Sequence, residues 1–188
     1  MSEISRRKWL RGIVPAAADT VAQAAGVSIA MTVKPQRRPP GARPEPEFLA
    51  LCTRCTECAD ACPHHAVLAY NDKAGKTLAG TPIMRPERRV CEMCEGFPCA
   101  RACPEGALVV PDASVWWLGA VRIRADRCIA FMGPECGACT GLCPPDAPAM
   151  SVIRDKPELD VDACVGCGRC IHACPTTPRA IEMVPLVE

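Results

Sequence analysis

Beyond an N-terminal leader, the chain alternates short apolar runs with polar turns. Four runs read as strands: Ala66-Val67-Leu68-Ala69-Tyr70, Ala107-Leu108-Val109-Val110, Ala149-Met150-Ser151-Val152-Ile153 and Ala180-Ile181-Glu182-Met183-Val184. Each is four or five residues long, too short for a buried helix. Returning strands are clearest at Gly119-Ala120-Val121-Arg122-Ile123 and Glu158-Leu159-Asp160-Val161. Asn71-Asp72, Pro111-Asp112 and Arg154-Asp155-Lys156-Pro157 supply the turns between them. Ahead of each of the four runs the pattern predicts a short helical stretch. Glu47-Phe48-Leu49-Ala50-Leu51 reads as helix and not as strand. Fragments this short cannot stand alone, so the repeated units must pair. The pattern predicts an α+β fold.

The residues before the body differ in character. Residues 1–44 carry eight Lys or Arg and two acids, net +6; residues 45–188 carry fourteen and nineteen, net −5. An acidic body argues against nucleic-acid binding and suits docking on a basic partner patch. Residues 1–33 form a leader. Its Ser5-Arg6-Arg7-Lys8-Trp9-Leu10-Arg11 resembles a twin-arginine export signal, with Trp in place of the usual Phe. An alanine-rich stretch follows from Gly12 to Val33, interrupted by Asp19 and Gln23, and Ser28-Ile29-Ala30 fits a small-x-small cleavage site. Nothing in it is a convincing spanning helix. The resemblance implies a periplasmic location; the alternative is a cytoplasmic protein whose basic leader docks on a partner or membrane surface. Residues 34–47, rich in proline, read as an extended linker, and residues 48–188 as the folded domain.

The chemistry lies in sixteen cysteines, in four groups that each end in Cys-Pro. They are Cys52, Cys55, Cys58 and Cys62 (52–63); Cys91, Cys94, Cys99 and Cys103 (91–104); Cys128, Cys136, Cys139 and Cys143 (128–144); and Cys164, Cys167, Cys170 and Cys174 (164–175). Groups one and four have the spacing of a bacterial ferredoxin, which binds 4Fe–4S clusters. Group two has a four-residue step after its second cysteine, and group three a seven-residue step after its first. Disulfides between such close neighbours would be strained. Structural zinc prefers two ligand pairs separated by a longer loop. All sixteen cysteines are therefore read as ligands, with capacity for four 4Fe–4S clusters. Gly166 and Gly168 permit close backbone approach in group four. Only 4% of residues are aromatic and 20 are prolines, so a core of large side chains is thin. The clusters must supply much of the cohesion.

In two-cluster ferredoxins the fourth cysteine of one group binds the other cluster. The fold expected is thus two interlocked bacterial-ferredoxin-like βαβ units. Spacing allows groups one with two and three with four, or two and three nested inside one and four.

The stretch Cys91-Glu92-Met93-Cys94-Glu95-Gly96-Phe97-Pro98-Cys99-Ala100-Arg101-Ala102-Cys103-Pro104 resembles the second motif of NapG/MauM-type ferredoxins. The long third motif, Cys128 to Cys136, resembles both NapG and NapF types, and Arg38-Pro39-Pro40-Gly41 resembles NapG. Such proteins are accessory iron–sulfur proteins of periplasmic nitrate reductase and methylamine-utilisation systems. The chain also resembles four-cluster subunits of molybdopterin oxidoreductases, and that resemblance favours nesting. The resemblance implies a polyferredoxin, an electron carrier without catalysis of its own. It passes single electrons between a membrane quinol dehydrogenase and a redox enzyme or cytochrome. NapF likeness implies instead a cytoplasmic accessory of reductase maturation; hydrogenase or molybdopterin oxidoreductase subunits are further alternatives.

An enzyme is the rival class. Catalytic iron–sulfur sites normally leave one iron without cysteine, whereas every group here has four. His64, His65 and His172 read as solvent-facing polar residues, and no phosphate loop or dinucleotide fingerprint is visible. Of Trp116 and Trp117, one is expected to pack under a hairpin and the other to be half exposed.

Overall fold

The computed structural model describes residues 36–71 and 78–186. The leader, with its twin arginines, lies outside the described residues. Among those described, no helix is long and apolar enough to cross a membrane.

Eleven short elements are present among the described residues. In order they are α1 (Glu45–Leu51), α2 (Glu57–Asp60), β1 (Val67–Ala69), β2 (Pro82–Met84), α3 (Pro98–Arg101), β3 (Val121–Ile123), α4 (Ile129–Met132), β4 (Met150–Ile153), β5 (Lys156–Leu159), α5 (Arg169–Ala173) and β6 (Ile181–Met183). The strands form three two-stranded sheets, β1 with β2, β3 with β6 and β4 with β5, all antiparallel. The ferredoxin-like units expected from the sequence thus take the form of antiparallel two-stranded ribbons with short helices between them.

Two halves repeat one plan. In the second, β4 and β5 form a hairpin between groups three and four. Its turn is Arg154-Asp155, both left-handed (φ 51 and 61), as a two-residue hairpin requires. The strand before group three, β3, pairs with the strand after group four, β6. In the first half, β1 and β2 form the equivalent hairpin between groups one and two. The outer pair is reduced to one bridge, Ala42 to Leu108, flanked by Arg43 N–H to Ala107 O (3.1 Å) and Val109 N–H to Gly41 O (2.8 Å). The run Ala107–Val110 is thus no regular strand, but it does pair.

The partner of that run overturns the linker reading of residues 34–47. Pro39 and Pro40 are among the most deeply buried side chains, and Arg38 is buried too. Arg38 donates to Thr81 Oγ1 and Pro82 O (2.8 Å each), pairs with Glu45 at 2.5 Å and lies over the Phe48 ring. Proline composition suggested an extended spacer. Within its described residues the segment turns at Pro40-Gly41 and enters α1 at Glu45, and Arg38 is held against Thr81, Pro82 and α1.

The short helices also fall elsewhere than expected. They do not follow Cys-Pro; α2, α3 and α5 precede it, and each carries the third cysteine of its group. Proline disfavours helical backbone in the residue before it, so the helix stops by the fourth cysteine. Of the tryptophans, Trp116 packs on the first core and Trp117 is exposed. His64, His65 and His172 are all exposed, although His172 Nε2 lies 3.1 Å from Pro86 O.

Candidate iron–sulfur centres

Three of the four cysteine loops use left-handed backbone. One left-handed residue stands just before the second cysteine: Arg54 (φ 64), Met93 (φ 48) and Gly166 (φ 68). Another stands just before the helix carrying the third: Thr56 (φ 71), Phe97 (φ 42) and Gly168 (φ 90). A left-handed non-glycine residue costs roughly 1–2 kcal/mol. Such strain persists where the fold needs it, and it marks a functional loop. Left-handed residues turn successive N–H groups toward one side of the chain, a concavity suited to an anionic group. In group two the longer step is absorbed by Gly96 (φ 66), so Phe97 keeps the place of Thr56 and Gly168.

Group three departs from this pattern. Neither Glu135 nor Gly137 is left-handed; α4 fills the insertion and Gly133 (φ 129) closes it. The insertion still leaves Cys128, Cys136 and Cys139 on one cavity.

Four cavities collect the sixteen cysteines, four to each. The first quartet is Cys52, Cys55, Cys58 and Cys103. The second is Cys91, Cys94, Cys99 and Cys62. The third is Cys128, Cys136, Cys139 and Cys174, and the fourth Cys164, Cys167, Cys170 and Cys143. Each takes three cysteines from one group and the last from its partner group. Groups one and two exchange, and groups three and four exchange. Nesting of two and three inside one and four is thereby excluded. The hairpins β1–β2 and β4–β5 fold the chain back between each pair of exchanging groups.

The thiols report the same neighbours. Burial pushes Cys58 up to about 11, and the charge of Cys103 adds to it ahead of Cys52 and Cys55. Burial pushes Cys99 up to about 12, helped by Cys91, Cys62 and Cys58. Cys170 also reaches about 12 through burial, then Cys167, Cys164 and Cys143. Cys174 is the contrary case: burial raises it, but hydrogen bonds from Thr176, Ala180 and Ile181 bring it below its ordinary value. Three of the exchanged cysteines accept backbone N–H donors at sulfur: Ala66 to Cys62 (3.3 Å), Leu108 to Cys103 (3.4 Å) and Ala180 to Cys174 (3.4 Å).

Among the described residues, no three Cys, His, Asp or Glu side chains are grouped to hold a single metal ion. The quartets line cavity walls instead. Walls of four thiols, concave backbone and N–H donors to sulfur fit a cubane cluster better than tetrahedral zinc, whose ligands meet about 2.3 Å from one centre.

A 4Fe–4S dicluster domain model matches residues 120–175, and a 4Fe–4S binding domain model matches residues 49–74. NapG of Escherichia coli K12 is 33% identical over 96% of this chain and 86% of its own length. MauM of Methylophilus methylotrophus is 37% identical over 79% of this chain and 70% of its own. NapF of Escherichia coli K12 is 33% identical over 77% and 84%. No solved structure matches.

The chain belongs to the NapG/MauM family of ferredoxin-type proteins. It is an iron–sulfur, 4Fe–4S protein of electron transport. In this member of the family the dicluster match covers β3 and groups three and four, the span of one structural half. Sequence reasoning missed the residues that lock the halves together. Leu118 N–H donates to Val165 O (2.8 Å) and Cys91 N–H to Cys167 O (3.0 Å). Cys167 belongs to the first half's apolar core. Burial raises the thiol of Cys91, and among its electrostatic neighbours is Cys167. The second and fourth quartets therefore face each other across the junction.

Proposed function

We propose that all sixteen cysteines bind four 4Fe–4S clusters, one per quartet, and that the chain is a non-catalytic electron wire. The observation that carries this is the sorting of the cysteines into four cavities of four. A cluster in each quartet would supply reversible one-electron chemistry, with a potential set by charge, hydrogen bonds to sulfur and exposure. The protein's own contribution is order. Cys58 lies among the electrostatic neighbours of Cys99, Cys167 among those of Cys91, and Cys139 among those of Cys170. These contacts line the quartets up as first, second, fourth, third.

The ends of that line are the more open. Cys55 in the first quartet is exposed, and Cys136 and Cys174 in the third are half-buried. The inner quartets each keep three buried cysteines. An inner shield with open ends suits a donor docking at one end and an acceptor at the other. Following the family resemblance, the donor is a membrane quinol dehydrogenase and the acceptor a redox enzyme or cytochrome. Two ferredoxin-like units placed in tandem, not interlocked, are the architecture of the wire.

Redox titration with iron quantitation tests the reading. About sixteen irons per chain and reversible one-electron reduction are expected. Centres that cannot be reduced reversibly would leave a structural or maturation role instead. The leader residues Arg6 and Arg7 support export to the periplasm. Replacing both by Lys should hold the protein in the cytoplasm on fractionation; unchanged distribution would rule out twin-arginine export.

A further inference from the structure

Arg169 lies between Cys167 and Cys170, at the start of α5, but its side chain leaves its own loop. Nη2 donates to Glu92 O at 2.9 Å and pairs with the Glu92 carboxylate at 2.7 Å. Nη1 donates to Leu142 O at 3.2 Å. Glu92 stands between Cys91 and Cys94 of the second quartet, and Leu142 directly precedes Cys143 of the fourth. One guanidinium therefore touches the loops that present both inner quartets. Its Nε–H is buried and has no partner. A buried donor left unspent is costly unless something charged in the site takes it up.

The plainer reading is an ordinary ion pair. Arg169 is only partly buried, and a pair of that exposure contributes little to stability. That reading explains the carboxylate contact. It does not explain two main-chain hydrogen bonds to two different cysteine loops, or the unpartnered Nε.

We propose that Arg169 is the bridge that sets the potentials of the two inner centres and couples the two halves of the wire. The inference rests on the four-cluster reading. Reduction adds one electron, and hence one negative charge, to a centre, with no bond made or broken. A fixed cation beside both inner quartets favours that reduced form and raises their potentials together. Because both inner centres move together, the fall in potential between them is unchanged while their step from each outer centre shifts. Glu92 tempers the effect and holds the guanidinium in place.

Potentiometric titration of the full-length holoprotein, followed by paramagnetic resonance, tests this. Arg169→Gln should lower two of the four midpoints by at least a tenfold change in the reduced-to-oxidised ratio, about 59 mV for one electron. The other two should stay within half that shift. Arg169→Lys keeps the charge and should restore most of the shift, which a purely structural role would not produce. Glu92→Gln removes the opposing charge and should move the same two midpoints upward. Unchanged midpoints in Arg169→Gln at full iron content, or an equal shift in all four, would overturn the proposal. Should Arg169→Gln lose iron, Glu92→Gln decides: no upward shift overturns it. Wild-type protein short of sixteen irons, or not reversibly reducible, would instead sink the wire itself.

Discussion

Cys62 ends the first group in sequence but lines the cavity of the second, and Cys103 does the reverse. Iron counting on double variants separates quartets from sequence groups. Cys52→Ala with Cys103→Ala strikes one quartet twice and should remove about four irons per chain, one cubane. Cys52→Ala with Cys62→Ala strikes two quartets and should remove about eight. The opposite ranking would mean that each group keeps its own cluster. The four groups of cysteines were legible in the sequence, because spacing within a group is a local property. The exchange partner was not, because it depends on how far the intervening chain turns back. The glycines show a similar divide. Gly166 and Gly168 were read as giving room near a cluster. A Cβ on either would lie 2.5 Å from a neighbouring carbonyl, Gly119 O or Pro86 O respectively. The same loop positions in group one hold Arg54 and Thr56, left-handed but exposed. Glycine is therefore demanded by the close packing of the backbone at Gly119 and at Pro86 of the first half on the group-four loop, which no local motif reveals.

Among the elements, the hairpins were readable, and the placement of the short helices and the outer pairing of the first half were not. Nothing in Arg38-Pro39-Pro40-Gly41-Ala42-Arg43 looks like a strand, since proline removes ladder donors. The single bridge at Ala42 and the two hydrogen bonds beside it need none from Pro39 or Pro40. Gly41 is the sensitive point. Its φ is +80, and a Cβ there would sit 1.9 Å from Val109 O. Gly106 has a similar φ of +66 and open space around it. In the holoprotein, Gly106→Ala should cost only the left-handed strain, about 1–2 kcal/mol. Gly41→Ala should cost clearly more, because the backbones of residues 41 and 109 must separate. Thermal unfolding of the two variants measures the difference. Equal losses would mean that the pairing of 41–43 with 107–109 contributes nothing to the first half.

At the scale of the whole molecule, cysteines are a large share of the buried apolar side chains. Nine of the buried apolar side chains among the described residues are cysteines, and most of the others are small alanines or isolated aliphatics. Deep side chains such as Phe48 and Val121 sit in separate clusters rather than one continuous core. Apolar burial on that scale does not offset the conformational entropy of so many irregular loops. Iron binding must then contribute folding free energy directly, as it does in other small metal-held domains. Iron-free chain, prepared with a chelator under reducing conditions, should show no cooperative thermal transition by circular dichroism. A transition close to that of the holoprotein would refute this. Reloading has a defined proton balance. An ordinary cysteine thiol titrates at about 8.5, and burial pushes Cys58, Cys91, Cys99 and Cys170 higher still, so these thiols are protonated at pH 7 whether or not the iron-free chain is folded. Thiolate is the form that binds iron. Each thiol must therefore release its proton as the metal arrives, and lowering the pH opposes that release. Reconstitution with iron and sulfide in weak buffer should acidify the medium and should become less complete as the pH is lowered below 7. Loading that is indifferent to pH, with no protons released, would place these cysteines outside the clusters.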